Sequence, residues 1–444
     1  MTETQSEAIR HLAVARSEAE KGPSGQTIRA IRKVGVIGAG TMGTGIAMAM
    51  SNAGLPVMLM ETSEQALARG LGMIRKNYDA TAAKGRLTAE QVEERMARIT
   101  GRTDMDGFRD VDLIVEAVFE DMKVKLDIFR QLDAIAPSDA ILATNTSRLD
   151  VNEIARATSR PQSVVGMHFF SPAHVMKLLE VVRGTATDPA VLATVMALAK
   201  QIGKQPVLVG VCDGFVGNRM VSHYTREAQF LVEEGASPGQ VDSALERFGM
   251  AMGPLRMQDM AGLDISWAAR KRAAPTRSPD IRYCKIADTI CEAGRFGQKT
   301  GAGFYRYEPG SRTPLADPRV EEIAIACAAA SGIKRRTISD EEIVERTIFA
   351  LVNEAANILA DGIAARGSDI DVIYADGYGF PAARGGPLFY ADDVGLAKVA
   401  ARVEAFHAEH GVLWTPAPLL LSLARGGKRL SSFEAAQSAS APSN

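Results

Sequence analysis

Lys33–Glu61, KVGVIGAGTMGTGIAMAMSNAGLPVMLME, is the stretch from which the rest of the chain is read. Lys33–Ile37 is a β-branched run, Gly38-Ala39-Gly40-Thr41-Met42-Gly43 follows at once, and small apolar residues continue to Met50. That spells strand, glycine turn and helix. In such a turn Gly38 permits the sharp bend, Gly40 lets the backbone approach a pyrophosphate, and Gly43 lets the helix pack on the strand. The helix N-terminus offers free N–H groups and a partial positive charge to the phosphates. A GxGxxG pattern alone also occurs in ordinary connections. Here a second apolar strand, Pro56–Met60, ends in Glu61, about 20 residues past the turn, where a carboxylate can hold a ribose 2′-hydroxyl. A carboxylate there repels a 2′-phosphate, so the expected cofactor is NAD rather than NADP; an exposed strand-end glutamate is the plainer alternative.

The 444 residues leave room for two or three domains. Lys plus Arg number 51 against 53 for Asp plus Glu, a net charge of −2. This near-balance argues against a nucleic-acid binder and leaves open a local basic patch for an anionic small molecule. Cys212, Cys284, Cys291 and Cys327 form no CxxC pair and no metal-binding cluster with histidine, so they read as reduced thiols and no metal is expected. No signal peptide, no bilayer-length apolar run and, at Ala441–Asn444, no peroxisomal or prenylation signal is recognised. A cytoplasmic protein without a membrane span is the expectation.

Residues 1–30 read as a helix, Glu7–Lys21, followed by a Gly/Pro linker. Ser63–Lys84 is a long helix with Ser63 as N-cap and Leu67, Leu71, Ile74 and Tyr78 on one face. Arg69, Arg75, Lys76 and Lys84 give it a basic side, either a solvated face or a phosphate contact. A helix Thr88–Ala97 leads to a strand near Ile99. Val111–Val118 is an apolar run interrupted by Asp112 and Glu116; a helix Met122–Ala136 and a strand Ala140–Ala143 follow, and the strand ends in Asn145-Thr146-Ser147. In a parallel sheet the carboxyl ends of the strands line the ligand crevice, so Glu120 and this turn point into it. Asn, Thr and Ser are also ordinary turn formers, and both readings stand.

Strand Ser163–His168 ends in a histidine, and the apolar stretch Lys177–Val182 contains one carboxylate, Glu180. A buried carboxylate is costly unless paired, and an imidazole is its natural partner. Such a pair fixes the tautomer and raises the basicity of the ring, which suits a general base for an alcohol proton. His174 lacks such a setting. Helix 188–201 and strand Gln205–Val211 complete the alternating half. From Phe215 the pattern is helical only, and Asn218 sits in the first turn of a helix Phe215–Glu234.

The helical part repeats itself. Gly253-Pro254-Leu255 through Asp259 to Gly262-Leu263 matches Gly386-Pro387-Leu388 through Asp392 to Gly395-Leu396 without a gap, and Glu227-Ala228 matches Glu354-Ala355. In that register Arg219 falls on Arg346, whereas Asn218 falls on Glu345. Two related helical units therefore follow the sheet, joined by a Gly/Pro-rich connector, each offering the other a partner within one chain.

The motifs GAGTMG, VEAVFEDMKVK, NTS, GMHFFSPAHVMKLLEVV, GFVGNRM and GQKTGAGFY together make the chain resemble the (S)-3-hydroxyacyl-CoA dehydrogenases of fatty-acid β-oxidation. The likeness runs from about Ile28 to Phe433. It is greatest to the dehydrogenase portion of bacterial multifunctional enzymes, without their enoyl-CoA hydratase/isomerase domain. The resemblance implies a Rossmann-type α/β dinucleotide-binding domain followed by two related all-α, 6-phosphogluconate-dehydrogenase-like domains. It implies His168 as general base, Glu180 as its partner, and Ser147 and Asn218 on the reacting oxygen. Around NAD it places Gly38, Gly40, Met42, Gly43, Glu61, Glu120, Lys125, Ser147, Ser171 and Lys299, and near CoA Lys84. Glu61 replaces the more usual Asp, and Ser171 stands where simpler members have Asn.

The reading is NAD-dependent, reversible oxidation of (S)-3-hydroxyacyl-CoA to 3-ketoacyl-CoA. The alternatives are a free hydroxy-acid or sugar-acid dehydrogenase and a catalytically inactive structural or complex subunit. Expected domains are 1–30 (helix and linker), 31–212 (NAD-binding), 213–310 (first helical), 311–336 (connector), 337–435 (second helical) and 436–444 (tail). Expected partners are an acyl-CoA substrate and a separate hydratase or thiolase. The duplicate leaves open a homodimer or a monomer whose helical domains form an intrachain pseudo-dimer.

Overall fold

In the computed structural model, which describes residues 2–435, the strands form a single eight-stranded sheet. The expected tail 436–444, with Ala441–Asn444, lies outside the described residues. The strands are β1 Val34–Ile37, β2 Val57–Met60, β3 Ile99–Arg102, β4 Leu113–Glu116, β5 Ile141–Thr144, β6 Val164–Phe169, β7 Leu178–Arg183 and β8 Gln205–Gly210, in spatial order β3-β2-β1-β4-β5-β6-β7-β8. Every residue of β1, β2, β4 and β5 is buried, because helices cover both faces of a doubly wound sheet. That is why these strands read as unbroken apolar runs. The order reverses between β1 and β4, which creates the switch point at which such sheets bind ligands.

All neighbouring strands are parallel except β6 and β7. The short link 170–177 explains the exception, since a parallel return needs a crossover of a dozen residues or more. Helix Thr41–Asn52 leaves the glycine turn, and helix Glu64–Ala82 starts as expected, with the Ser63 hydroxyl accepting from the Ala66 N–H at 3.1 Å. Leu67, Ile74 and Tyr78 are buried on its inner face.

The chain divides into two compact units. Among the described residues, the sheet unit comprises Arg10–Asn218 with Asp361–Gly377 and 434–435, and the helical unit comprises 2–9, Arg219–Ala360 and Tyr378–Phe433. Within the block expected at 337–435, residues 361–377 pack with the sheet: Ala364 bridges Val209, and the Gly210 N–H donates to the Ile363 carbonyl at 2.7 Å. The expected connector 311–336 contains a helix, Pro318–Ala330, capped by Asp317. The Gly/Pro-rich composition of the preceding stretch does not extend into its alanine-rich interior.

Within the helical unit the repeat acquires a physical form. Helix Gly217–Glu234 of the first copy and helix Asp340–Ala360 of the second exchange ion pairs. Arg219 Nε donates to Glu354 at 2.5 Å, and Arg346 Nε and Nη2 donate to Glu227 at 3.2 and 3.0 Å. Since Arg219 corresponds to Arg346 and Glu227 to Glu354, each copy's arginine meets the other's glutamate, as in a two-fold interface. Both copies also close with the same clamp. Asp259 accepts from the N–H groups of Phe304 and Tyr305 at 2.9 and 3.0 Å, and Asp392 from those of Leu430 and Ser431 at 2.8 and 2.9 Å.

The Arg346 side chain is wholly buried and also binds Glu234. Arg346→Met would take the central guanidinium from between Glu227, which keeps Arg226, and Glu234, which keeps Arg282 and Arg336, and is expected to lower unfolding free energy by about 3 kcal/mol. Arg219→Met, at a partly exposed site, should lose less. Urea unfolding checks both, and equal losses would contradict the asymmetry in burial.

Candidate active site

At the end of β1 the turn is dictated by contact. Gly38 has φ +99°, and a Cβ there would lie 2.7 Å from the Ala117 carbonyl oxygen. A Cβ on Gly43 would lie 1.8 Å from the Gly38 carbonyl oxygen, so the helix can start here only with glycine. A Cβ on Gly40 would meet nothing within 4 Å. That openness, on an exposed residue heading the helix, is what a pyrophosphate-approached position needs. Met42 is half-buried beside it.

Glu61, at the end of β2, accepts from the Ala39 N–H at 3.0 Å and from the Thr62 N–H and hydroxyl at 2.7 and 3.1 Å. Partial burial pushes its carboxyl up, but these hydrogen bonds and the Arg69 charge outweigh it and hold the group below the usual carboxylate range. An ionised carboxylate thus adjoins the glycine turn, and this donor set fits a dinucleotide with a free ribose 2′-hydroxyl.

The end of β4 holds a buried network. Glu116 accepts from Lys125 Nζ and from the Thr144 hydroxyl, each at 2.7 Å. Lys125 is 1% exposed and lies 3.5 Å from Glu120 as well. Lys125, which the resemblance places around the cofactor, holds two carboxylates with its buried ammonium. Glu120 Oε1 accepts from the Thr146 hydroxyl (2.7 Å), the Ser147 N–H (2.8 Å) and hydroxyl (3.1 Å), and the Arg148 N–H (3.1 Å). Desolvation raises its pKa, while Lys125 and these donors lower it further, with a net downward shift. The Asn145-Thr146-Ser147 turn is therefore fixed from below by an anion. Asn145 Oδ1 also accepts from the Phe169 N–H at 2.9 Å, tying the turn to β6.

Across β6 and β7, His168 and Glu180 are register partners, with His168 Nδ1 2.7 Å from Glu180 Oε2. Glu180 is completely buried, and its Oε1 accepts from the Gly217 N–H at 2.9 Å. The next residue, Asn218, has Nδ2 3.5 Å from the Ser147 carbonyl oxygen. His168, Glu180 and the Gly217 N–H thus form one run of polar contacts, and the chain itself carries it on to Asn218 and the Ser147 carbonyl. Phe170 and Phe215 flank the imidazole, with ring centroids at 4.5 and 5.8 Å. Phe215 has φ +49°, uncommon for a bulky residue, directly after Gly214 at φ +78°. This left-handed pair turns the chain so that the helix begins beside Glu180.

Ser171 and Lys84 are exposed, in the β6–β7 loop and just past helix Glu64–Ala82. Lys299 belongs to the helical unit, where its Nζ lies 2.5 Å from Asp264. Sequence reasoning missed Glu116 and the Gly217 N–H. Glu116 carried the signal that marked Glu180, a lone acid in an apolar strand, whereas a backbone donor leaves none. Among the described residues no cluster of His, Cys, Asp and Glu could hold a metal, no helix is long and apolar enough to cross a membrane, and all four cysteines are free.

Residues 33–212 match the family described as 3-hydroxyacyl-CoA dehydrogenase, NAD binding domain, and residues 214–307 and 343–430 each match its C-terminal domain. The peroxisomal bifunctional enzyme of Danio rerio is 44% identical over 447 residues, covering 95% of this chain and 61% of that protein. The chain therefore spans about three-fifths of the length of this curated relative. The dehydrogenase part of multifunctional enzyme 1 from C. elegans superposes with a TM-score of 0.69 at 30% identity, over 93% of this chain and 96% of that one. The 3-hydroxybutyryl-CoA dehydrogenase of Escherichia coli superposes with a TM-score of 0.77 at 28% identity, over 89% and 99%. The chain belongs to the 3-hydroxyacyl-CoA dehydrogenase family.

Because a Cβ on Gly40 meets no protein atom, Gly40→Ala isolates the ligand's demand from the fold's. It should leave the melting temperature unchanged and weaken NADH binding by roughly tenfold or more, measured by fluorescence titration. Unaltered NADH affinity would remove Gly40 from the cofactor site.

Proposed function

We propose that this chain catalyses the reversible, NAD-dependent oxidation of (S)-3-hydroxyacyl-CoA to 3-ketoacyl-CoA, a step of fatty-acid β-oxidation. The observation that carries the reading is the buried His168–Glu180 pair with Ser147 and Asn218 joined to it. Bound NAD supplies the acceptor for the hydride that leaves C3. His168 Nε2 takes the hydroxyl proton, and Glu180, on Nδ1, stabilises the imidazolium that results. Ser147 and Asn218 hold the reacting oxygen. In the reduction the same imidazolium returns the proton.

Gly38, Gly40, Met42, Gly43, Glu61, Glu120, Ser147, Ser171 and Lys299 hold the dinucleotide in this reading, Lys125 acts through Glu120, and Lys84 meets the CoA. The ionised Glu61 excludes a 2′-phosphate. The substrate is what hydration of a 2-enoyl-CoA yields and the product is what a thiolase cleaves, so those two enzymes are the partners we propose. The exchanged Arg–Glu pairs support an intrachain pseudo-dimer and a monomer. Four free thiols support the cytoplasm as the compartment, while the Danio rerio relative is described as peroxisomal; cell fractionation separates the two.

The test follows loss of NADH absorbance with acetoacetyl-CoA, a longer 3-ketoacyl-CoA and free acetoacetate, with NADPH as control. Turnover that requires both the thioester and NADH is expected. His168→Gln should lower kcat by on the order of 10² to 10⁴ with NADH affinity kept, as for a lost general base. Thioesters inert while NADH binds, or activity on the free acid alone, would end this reading.

A further inference from the structure

Helix Gly367–Gly377 belongs to the second copy of the repeat by sequence and to the sheet unit by packing. Its end lies against β7, since a Cβ on Gly377 would sit 2.4 Å from Leu178 Cδ2. The leading helix Glu3–Ala19 anchors it with two ion pairs. His11 Nε2 lies 2.8 Å from Asp371 Oδ2, and Arg16 donates to both oxygens of Asp376 at 2.9 and 2.7 Å. Between these anchors, Tyr374 is 1% exposed and its hydroxyl donates to the Gly217 carbonyl at 3.3 Å. Gly217 is the residue whose N–H holds Glu180, and Glu180 holds the imidazole of His168.

We propose that Tyr374 is a positioning residue for the His168–Glu180 pair, supplied to the site by the duplicated copy. Gly217 opens its helix after the left-handed Phe215, so its place depends on what grips it from outside the helix. Glu180 grips its N–H, and Tyr374 grips its carbonyl. The carboxylate fixes the 216–217 peptide and the phenol the 217–218 peptide, so Asn218, next in the chain, inherits that placement.

The proposal rests on the dehydrogenase reading for its kinetic readout. In the full chain, Tyr374→Phe should lower kcat for acetoacetyl-CoA reduction about three- to tenfold, the scale of one hydrogen bond, with KM values within about twofold. The ¹⁵N signal of His168 Nδ1, recorded on histidine-labelled protein without substrate, should move. In a Glu180→Gln background the same change should add little, because the two act through one path. Unchanged kcat and His168 signal, losses that multiply in the double variant, or a lowered melting temperature with the His168 signal unmoved would each overturn the proposal. If the unaltered protein is inert with thioesters the dehydrogenase reading fails, and the His168 signal still decides the role of Tyr374.

Discussion

Glu180 is a carboxylate without contact with water, and much of the sheet unit follows from satisfying it. Removing such a charge from water costs several kcal/mol, recovered only when both oxygens find good partners. One oxygen takes the His168 ring and the other the Gly217 N–H. The first contact needs β7 beside β6 in the register that faces residue 168 with residue 180, hence the short antiparallel return. The second needs the chain to come back from β8 and start a helix at that spot, hence the left-handed Gly214-Phe215 pair. Strand order, a strained turn and a helix N-terminus thus converge on one side chain.

The duplicated helical part obeys a second electrostatic constraint, one of symmetry. Exchanging Arg219–Glu354 for Arg346–Glu227 gives two related copies a shared interface without new chemistry. The copies have nevertheless diverged in burial. Arg346 is enclosed and shared between Glu227 and Glu234, whereas Arg219 is partly exposed. Glu345, which replaces Asn218 in the second copy, pairs with Arg402 at 2.7 Å. That position carries an ion pair in one copy and, in the other, an amide that reaches the Ser147 carbonyl.

What was legible in the sequence follows from how each feature is encoded. The glycine turn, the alternation of strands and helices, Ser63 as N-cap, the Arg219–Arg346 correspondence and the His168–Glu180 pair all depend on residue type at short spacing or in repeated register. The direction of β7 and the packing of 361–377 on the sheet depend on long-range contact, which composition does not record. Lys125 shows the limit most sharply. The resemblance places it around the cofactor, and only the fold reveals Glu116 beneath it, an acid that in sequence merely interrupts an apolar strand. Ser171, Lys84 and Lys299 rest on resemblance, because no geometry among the described residues joins them to the dyad.

A common device links the parts that were hard to read. Glu61 accepts from the amides of Ala39 and Thr62, Glu120 from those of Ser147 and Arg148, and Glu180 from that of Gly217. Asp242 does the same for Leu255 and Arg256, and Asp259 for Phe304 and Tyr305. Each carboxylate fastens a loop or helix start by its backbone, so the amides that define the turn carry the geometry, whatever side chains lie around them. Hydrogen bonds to an ionised acceptor are roughly twice as strong as neutral ones, which suits segments with little regular structure of their own. The same arrangement leaves Ser147 and Asn218, and the outer nitrogen of His168, as groups held in place by others. The proposed reaction, a single proton and a single hydride, needs that fixed placement more than it needs further reactive groups.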